Sequence, residues 1–316
     1  MSSGPTESGS CSTQGSDVQD LNATEGRLRV GLVTCGELPE PDLDAPLLLA
    51  ALRQSGVDAE LVAWDDPDSA PPEVFDRLIL RSAWNYHLRP AEFSAWVEAA
   101  DRLASLSNPA PIVLWNLHKQ YLKSLTSAGI PTVPTAWIQQ GARAPLRSIL
   151  EVNGWTDFVI KPAISASSWR THRFRLAHDE IEQAESILET LLSDRDVMVQ
   201  PYVEGVDRNG EKCVMWIDGE VTHAVRKTPR FAGEGEFVSG ATTVSSSERA
   251  IAERSIAVAV VETGVRPLYA RVDLMPDAEE GPMVSELELI EPSLYLVQSA
   301  VALDRLVRAI ATAPAS

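Results

Sequence analysis

Arg271-Val-Asp-Leu274 and, a little further on, Ser285-Glu-Leu-Glu-Leu-Ile-Glu-Pro292 form the stretch whose reading decides the fold. Each is an apolar strand interrupted by acids. Strand side chains alternate faces, so residues two apart share a face. Glu286 and Glu288 therefore point the same way, and pairing with the first strand brings Asp273 beside them. Three carboxylates on one face repel unless a cation lies between them. Mg²⁺ suits such a place, being hard, oxygen-seeking and a habitual partner of phosphates. Acids alternating with Leu and Ile also describe an ordinary half-solvated strand; lysines upstream tilt the balance toward a metal–nucleotide site.

The whole chain sets bounds. It has 316 residues, 44% hydrophobic and 23% charged, an ordinary globular composition. Its length allows two or three subdomains. No apolar run reaches the ~18–20 residues that span a bilayer, and the first residues lack the basic start and apolar core of a signal peptide. A cytoplasmic location, with no membrane partner, is the expectation. The net charge of −18 argues against nucleic acid or an anionic membrane as partner. A single nucleotide needs only a few lysines in a cleft. Cys11, Cys35 and Cys213 are far apart, without CxxC spacing, so neither a disulfide framework nor a cysteine zinc site is expected. Cys35 ends an apolar strand, where a free cysteine is more often packing than chemistry.

Residues 1–26 carry no periodicity, and a disordered tail is expected there. From residue 27 the pattern alternates: strand 27–35, helix 45–55, strand 58–64, strand 75–81, helix 90–103 and a short strand 112–115. This predicts an α/β class with a parallel sheet, whose ligands sit at the carboxyl ends of strands. Two loops follow from that rule, 36–44 and Arg81-Ser-Ala-Trp-Asn-Tyr86. Arg81, Ser82, Trp84 and Asn85 become candidate substrate groups, with a packed loop as the plain alternative. There is no GxGxxG, GxxxxGK[ST] or GxSxG, which removes the dinucleotide, P-loop and serine-hydrolase signatures. Beyond Asn116 come a helix from Lys119, a strand 158–161 ending in Lys161, and a hydroxyl-rich loop 163–173. A helix 179–192 and a strand 197–204 turning at Pro201 follow. A hairpin around Asp218-Gly219, a helix 248–262, the acidic strands and a terminal helix 296–311 complete the pattern.

Lys119, Lys161 and Lys227, the hydroxyl loop, the turn at Pro201 and the late acids occur in a fixed order. In that order they resemble the ATP-grasp superfamily, in its glutathione-synthetase-like and RimK-like branch, over residues 112–312. More narrowly, Arg81-Ser-Ala-Trp-Asn-Tyr86, Lys161-Pro-Ala-Ile-Ser-Ala-Ser167, Gln200-Pro-Tyr-Val-Glu-Gly-Val206, His223-Ala-Val-Arg-Lys227 and Glu286-Leu-Glu-Leu-Ile-Glu-Pro292 look like the cycloserine-forming ligases.

The resemblance implies an α+β ATP-grasp fold in which two subdomains sandwich ATP. A leading α/β domain (27–118) precedes a small subdomain (119–203) and a metal-binding subdomain (204–316). It implies that Lys119 and Lys161 reach the phosphates and that the loop with Ser165 and Ser167 closes over them. Gln200, Tyr202 and Val203 would read adenine, with Val197 and Met198 as apolar walls, and Glu211 the ribose. Lys227, Arg271 and Arg230 would serve the transferring group and the substrate carboxylate. Asp273, Glu286 and Glu288 would hold two Mg²⁺, with Glu291 out of phase and outside the shell. Relatives often carry glycines in the phosphate loop; this chain has Ser, Ala, Trp169 and Arg170. The implied activity is an ATP-dependent carboxylate–amine ligase acting through an acyl phosphate on a small amino-acid-like substrate, or cyclising it. Ligation to a peptide or protein terminus, and nucleotide binding without catalysis, stay open as alternatives. Related ligases are often dimers or tetramers, which leaves a homo-oligomer open too.

Overall fold

The computed structural model describes residues 1, 4, 26–143, 145–176, 180–228, 237–276 and 281–312. The expected tail lies almost wholly outside them. Strands β1 (Arg29–Thr34), β2 (Asp58–Ala63), β3 (Arg77–Ser82) and β4 (Ser105–Ser107) form a parallel sheet in the order β2-β1-β3-β4. Helices α1 (Asp44–Gln54) and α2 (Pro90–Leu103) connect these strands, as the alternation predicts. Every residue of β3 is buried, the mark of a strand covered on both faces.

Residues 112–115 correct the sequence reading. They belong to helix α3 (Ala110–Leu117), not to a strand. A four-residue apolar run has no period of its own and fits either state. Here Pro109 precedes the first turn and Pro111 fits within it, a placement that suits a helix start. Helix α4 (Tyr121–Ser127) follows.

Strands β5 (Ala136–Ile138), β6 (Asp157–Pro162), β7 (His172–Arg175) and β8 (Val197–Pro201) make a small antiparallel sheet ordered β5-β8-β6-β7. Helices α5 (Leu146–Asn153) and α6 (Ile181–Leu192) complete this layer. Phe158, Ile160, Val197 and Val199 pack with Leu150 and Leu188 in its core. Alternation turns Val159 and Lys161 to the opposite face.

The third sheet is antiparallel, ordered β10-β9-β11-β12, from β9 (Glu211–Ile217), β10 (Glu220–Lys227), β11 (Tyr269–Met275) and β12 (Met283–Glu288). The short helix α7 (Gly205–Asn209) leads into it. The β9–β10 turn uses Asp218 (φ 44°) and Gly219 (φ 93°), two left-handed residues in succession as a tight hairpin demands. Helix α8 (Ser246–Thr263) starts with a capping box between Ser245 and Glu248 and stops at Gly264, φ 74°. Helices α3 and α4 lie against α8. The last helix, α9 (Ala300–Thr312), buries Leu306 and Ile310 with Leu48 and Leu52 of α1. Arg77 donates to the carbonyl of Ile310 at 2.5 Å, a cation at a helix C-terminus. Among the described residues no helix is long and apolar enough to cross a membrane.

Candidate active site

The small sheet and the third sheet face each other across a cleft. Register places the acids on its floor. Antiparallel pairing sets Asp273 opposite Glu286 and Arg271 opposite Glu288, and directly opposed residues share a face. Strand β12 ends its sheet, and an edge strand's backbone groups need partners. Asn116 supplies two, donating to Leu287 O at 2.8 Å and accepting from Leu289 N at 2.9 Å. The Tyr121 hydroxyl accepts from Leu287 N at 3.1 Å, and Pro131 O and Val133 N bond the backbone of Val284. Asn108, fully buried, donates to Leu289 O and Tyr269 O. The acids thus stand on a strand fixed from its outer side by groups that the sequence pattern did not reveal.

The cations, each near an element end, meet these acids directly. Lys161 Nζ lies 2.8 Å from Glu286 Oε1, and Lys119 Nζ lies 3.6 Å from Oε2 while donating to Ser165 O at 2.9 Å. Lys227 Nζ sits between Glu211 (3.1 Å) and Asp273 (3.2 Å). Arg271 donates twice to Asp273, both at 2.8 Å, and also bonds Glu288. Ser285 Oγ donates to Glu211 at 2.6 Å. Burial alone would raise the Glu286 carboxyl, but Lys119 and Lys161 outweigh it and hold it at about 2. Burial likewise opposes the charge of Asp273, yet Arg271 and Lys227 keep it well below the usual carboxylate range. Glu288 goes the other way. Burial, with Asp273 and Glu286 near, lifts it to about 7 despite Arg271. Four cations of the chain stand against these three carboxylates, whose oxygens are the donor type that a hard divalent cation takes.

Among the described residues, three ligand atoms within 4.8 Å of one another occur at Glu211, Cys213 and Asp273. Burial, and then Asp273, push the Cys213 thiol well up. A soft sulfur donor also suits a hard cation such as Mg²⁺ poorly.

The loop after β6 takes backbone shapes that glycine usually supplies. Ser167 (φ 49°), Ser168 (φ 56°) and Arg170 (φ 51°) are all left-handed, at roughly 1 kcal/mol or more each. Trp169 holds the loop against the leading domain. Its ring lies 4.9 Å from that of His87, with the guanidinium carbons of Arg170 and Arg195 at 4.5 and 4.4 Å. Burial lowers His87 to about 4. The neutral ring is therefore the folded form, while the unfolded chain takes up a proton near pH 6.5. This contribution to stability is complete above about pH 6.5 and is lost as pH falls toward 4. Between pH 7 and 5 it amounts to about 2 kcal/mol. Urea unfolding of the native chain and a His87→Phe variant at both pH values should show the variant losing that much less.

Other sequence-predicted residues are placed as follows. Trp84 lines the cleft, its Nε1 donating to Glu291 O at 2.9 Å. Arg81, Ser82 and Asn85 do not line it, which corrects their reading as substrate groups. Arg81 is buried against Pro292 O and the Tyr269 ring. Ser82 bonds Thr34, and Asn85 bonds Asp65 and Trp64. Ser82 and Asn85 are thus spent on internal partners, while Arg81 keeps Nε and Nη1 buried without a hydrogen bond among the described residues. Val197 and Met198 face packed core, and Val133, Val159, Val206, Met275 and Leu287 form the apolar walls instead. Gln200 and Tyr202 border the cleft with committed groups. The Gln200 side chain donates to Thr135, the Tyr202 amide to Asp157 O, and the Tyr202 ring lies under Arg173. Val203 lines the same wall. Cys35 is buried, bonded to Glu37 O, and raised by burial; it is packing. Arg230 lies outside the described residues.

Glu291 is the site residue that the strand pattern hid. Alternation put it on the other face, but β12 ends at Glu288 and the chain turns, bringing Glu291 into the cleft.

The comparisons with known proteins speak to family and fold. The family model for the N-terminal domain of the D-cycloserine synthetase DcsG matches residues 30–108, the parallel sheet. The cycloserine biosynthesis protein DcsG of Streptomyces lavendulae is 34% identical over 281 residues, covering 85% of this chain and 93% of that protein. The crystal structure of D-cycloserine synthetase DcsG superposes with a TM-score of 0.82 at 33% identity, over 90% of this chain and 98% of the other. At the level of fold alone, the D-alanine–D-alanine ligase of Bacillus anthracis gives 0.65 at 15% identity, over 90% and 96%. This chain is a member of the ATP-grasp ligases, in the family of the cycloserine synthetase DcsG.

Proposed function

We propose that the enzyme activates the carboxylate of a small amino-acid-like substrate with ATP and passes the acyl group to an amine. One observation carries this reading. Lys119, Lys161, Lys227 and Arg271 converge on Glu286, Asp273, Glu211 and Glu288 in one cleft between two sheets. Each of these cations rests on an acid, which makes it a charge held ready for another anion. Lys119 and Lys161 then turn to nucleotide phosphates as mobile point charges. The left-handed loop with Ser165 and Ser167 covers them with backbone N–H groups and hydroxyls. Val203 and its neighbours border adenine, and Glu211 accepts from ribose. Asp273, Glu286 and Glu288 would hold two Mg²⁺, which when bound neutralise phosphate charge. In this assignment ATP lies between the subdomains 119–203 and 204–316.

The carboxylate oxygen of the substrate attacks the γ-phosphorus and ADP leaves, giving an acyl phosphate. Phosphoryl transfer of this kind rests on positioning and charge neutralisation, which Lys227 and Arg271 supply beside the reacting group. The amine then attacks the acyl carbon, the C–O bond to phosphate breaks, and the amine loses a proton. Where amine and carboxylate belong to one molecule, the same steps close a ring. The closed loop keeps water from the acyl phosphate.

Oxygen transfer tests the step. With ¹⁸O in the substrate carboxylate, one labelled oxygen should appear in each phosphate released. Unlabelled phosphate would show that no acyl phosphate forms.

A further inference from the structure

We propose that Glu291 binds the ammonium group of the amino-acid substrate. The inference rests on the ligase reading and adds a specificity-determining residue to it.

The acids of the cleft differ in one respect. Glu286, Asp273, Glu211 and Glu288 each have a cation of the chain within ion-pair distance. Glu291 has no ion pair among the described residues, and its carboxyl is served only by the amide of its own residue. It is nonetheless 92% buried, with 8% of its surface left, and that surface faces the cleft. Lys119 and Arg271 act on it at longer range, and both are already engaged with other carboxylates. A buried carboxylate without a partner is costly. Burial, and then Glu288, raise its pKa to about 8, the response of an acid awaiting a cation.

Its surroundings suit a primary ammonium. Trp84 pins the backbone of residue 291 through its indole N–H, so the carboxylate has a fixed origin. Trp84 and Tyr86 line the cleft beside it, and aromatic faces attract a desolvated cation. Arg271 and Lys227 lie toward the acid-bearing strands, where in the ligase reading the carboxylate of the substrate is phosphorylated. An α-amino acid spanning the two would place its negative end at the lysine and arginine, and its positive end at Glu291. A carboxylic acid lacking the amine leaves Glu291 buried without a partner and is rejected for that reason.

The test uses calorimetric titration of the full chain, saturated with Mg²⁺ and a non-hydrolysable ATP analogue. D-serine and D-alanine are compared with 3-hydroxypropionate and propionate, which lack only the amine. The native chain should bind the amino acids roughly 10- to 150-fold more tightly than their amine-free counterparts. Glu291→Gln, of nearly the same shape, should erase that preference, leaving affinity for the ATP analogue unchanged and the melting temperature no lower. Glu291→Asp, which keeps the charge, should retain part of it. Persistence of the preference in Glu291→Gln overturns the proposal, and so does nucleotide binding with no binding of either amino acid. Failure of the native chain to bind the nucleotide sinks the ligase reading itself.

Discussion

A Glu286→Gln variant should lose ATP-driven turnover by about a thousandfold while still binding the nucleotide. Glu286 stands on the cleft face of β12 opposite Asp273, and Lys161 and Lys119 approach its two oxygens. The amide keeps the shape of the side chain and removes its charge. The acidic set proposed to hold the metals then loses a firmly ionised member, since the two lysines hold it at about 2. Those lysines meanwhile lose their acid and become freer for phosphates, so nucleotide affinity is retained. Single-turnover phosphate release and nucleotide titration separate the two effects. Full turnover in the variant would show that Glu286 has no part in the metal site.

Asp44→Ala should have the largest effect on stability, about 3–5 kcal/mol. Asp44 opens α1, is 4% exposed, and accepts from Leu294 N at 2.8 Å and Leu296 N at 2.7 Å. Its carboxylate also lies 3.9 Å from Arg81, whose side chain is 1% exposed. Removing it strands two buried amides and a buried guanidinium together. The same segment carries Ser293 and Tyr295 at the cleft, so substrate affinity should fall along with the midpoint of urea unfolding. A loss below about 1 kcal/mol, the size of one ordinary hydrogen bond, would contradict this role.

The features legible in the sequence were those that follow from period and order. The α/β alternation gave the parallel sheet. Asp218-Gly219 gave the hairpin, and the two-residue period of β12 gave the shared face of Glu286 and Glu288. What escaped depended on partners remote in sequence. Asn116 and Tyr121 look like unremarkable helix residues until β12 is seen to need edge partners 166 to 173 positions away. Arg81 and Asn85 advertise a binding loop, yet Arg81 is buried beside Asp44 and Pro292, and Asp65 takes the Asn85 amide. Glu291 was misplaced because alternation was carried past the end of the strand. Strand β7 and the left-handed loop before it were invisible because serine and arginine carry no signal for positive φ. The run 112–115 was too short to choose between helix and strand.

The most direct test of the central claim is phosphate release from Mg·ATP across a panel of amino acids, including D-enantiomers and O-substituted serines, with mass spectrometry of the products. The account predicts release that depends on particular amino acids, with a product lighter than its substrates by water or a small leaving group. ATP hydrolysis indifferent to every carboxylate offered, or no ATP binding at all, would contradict it.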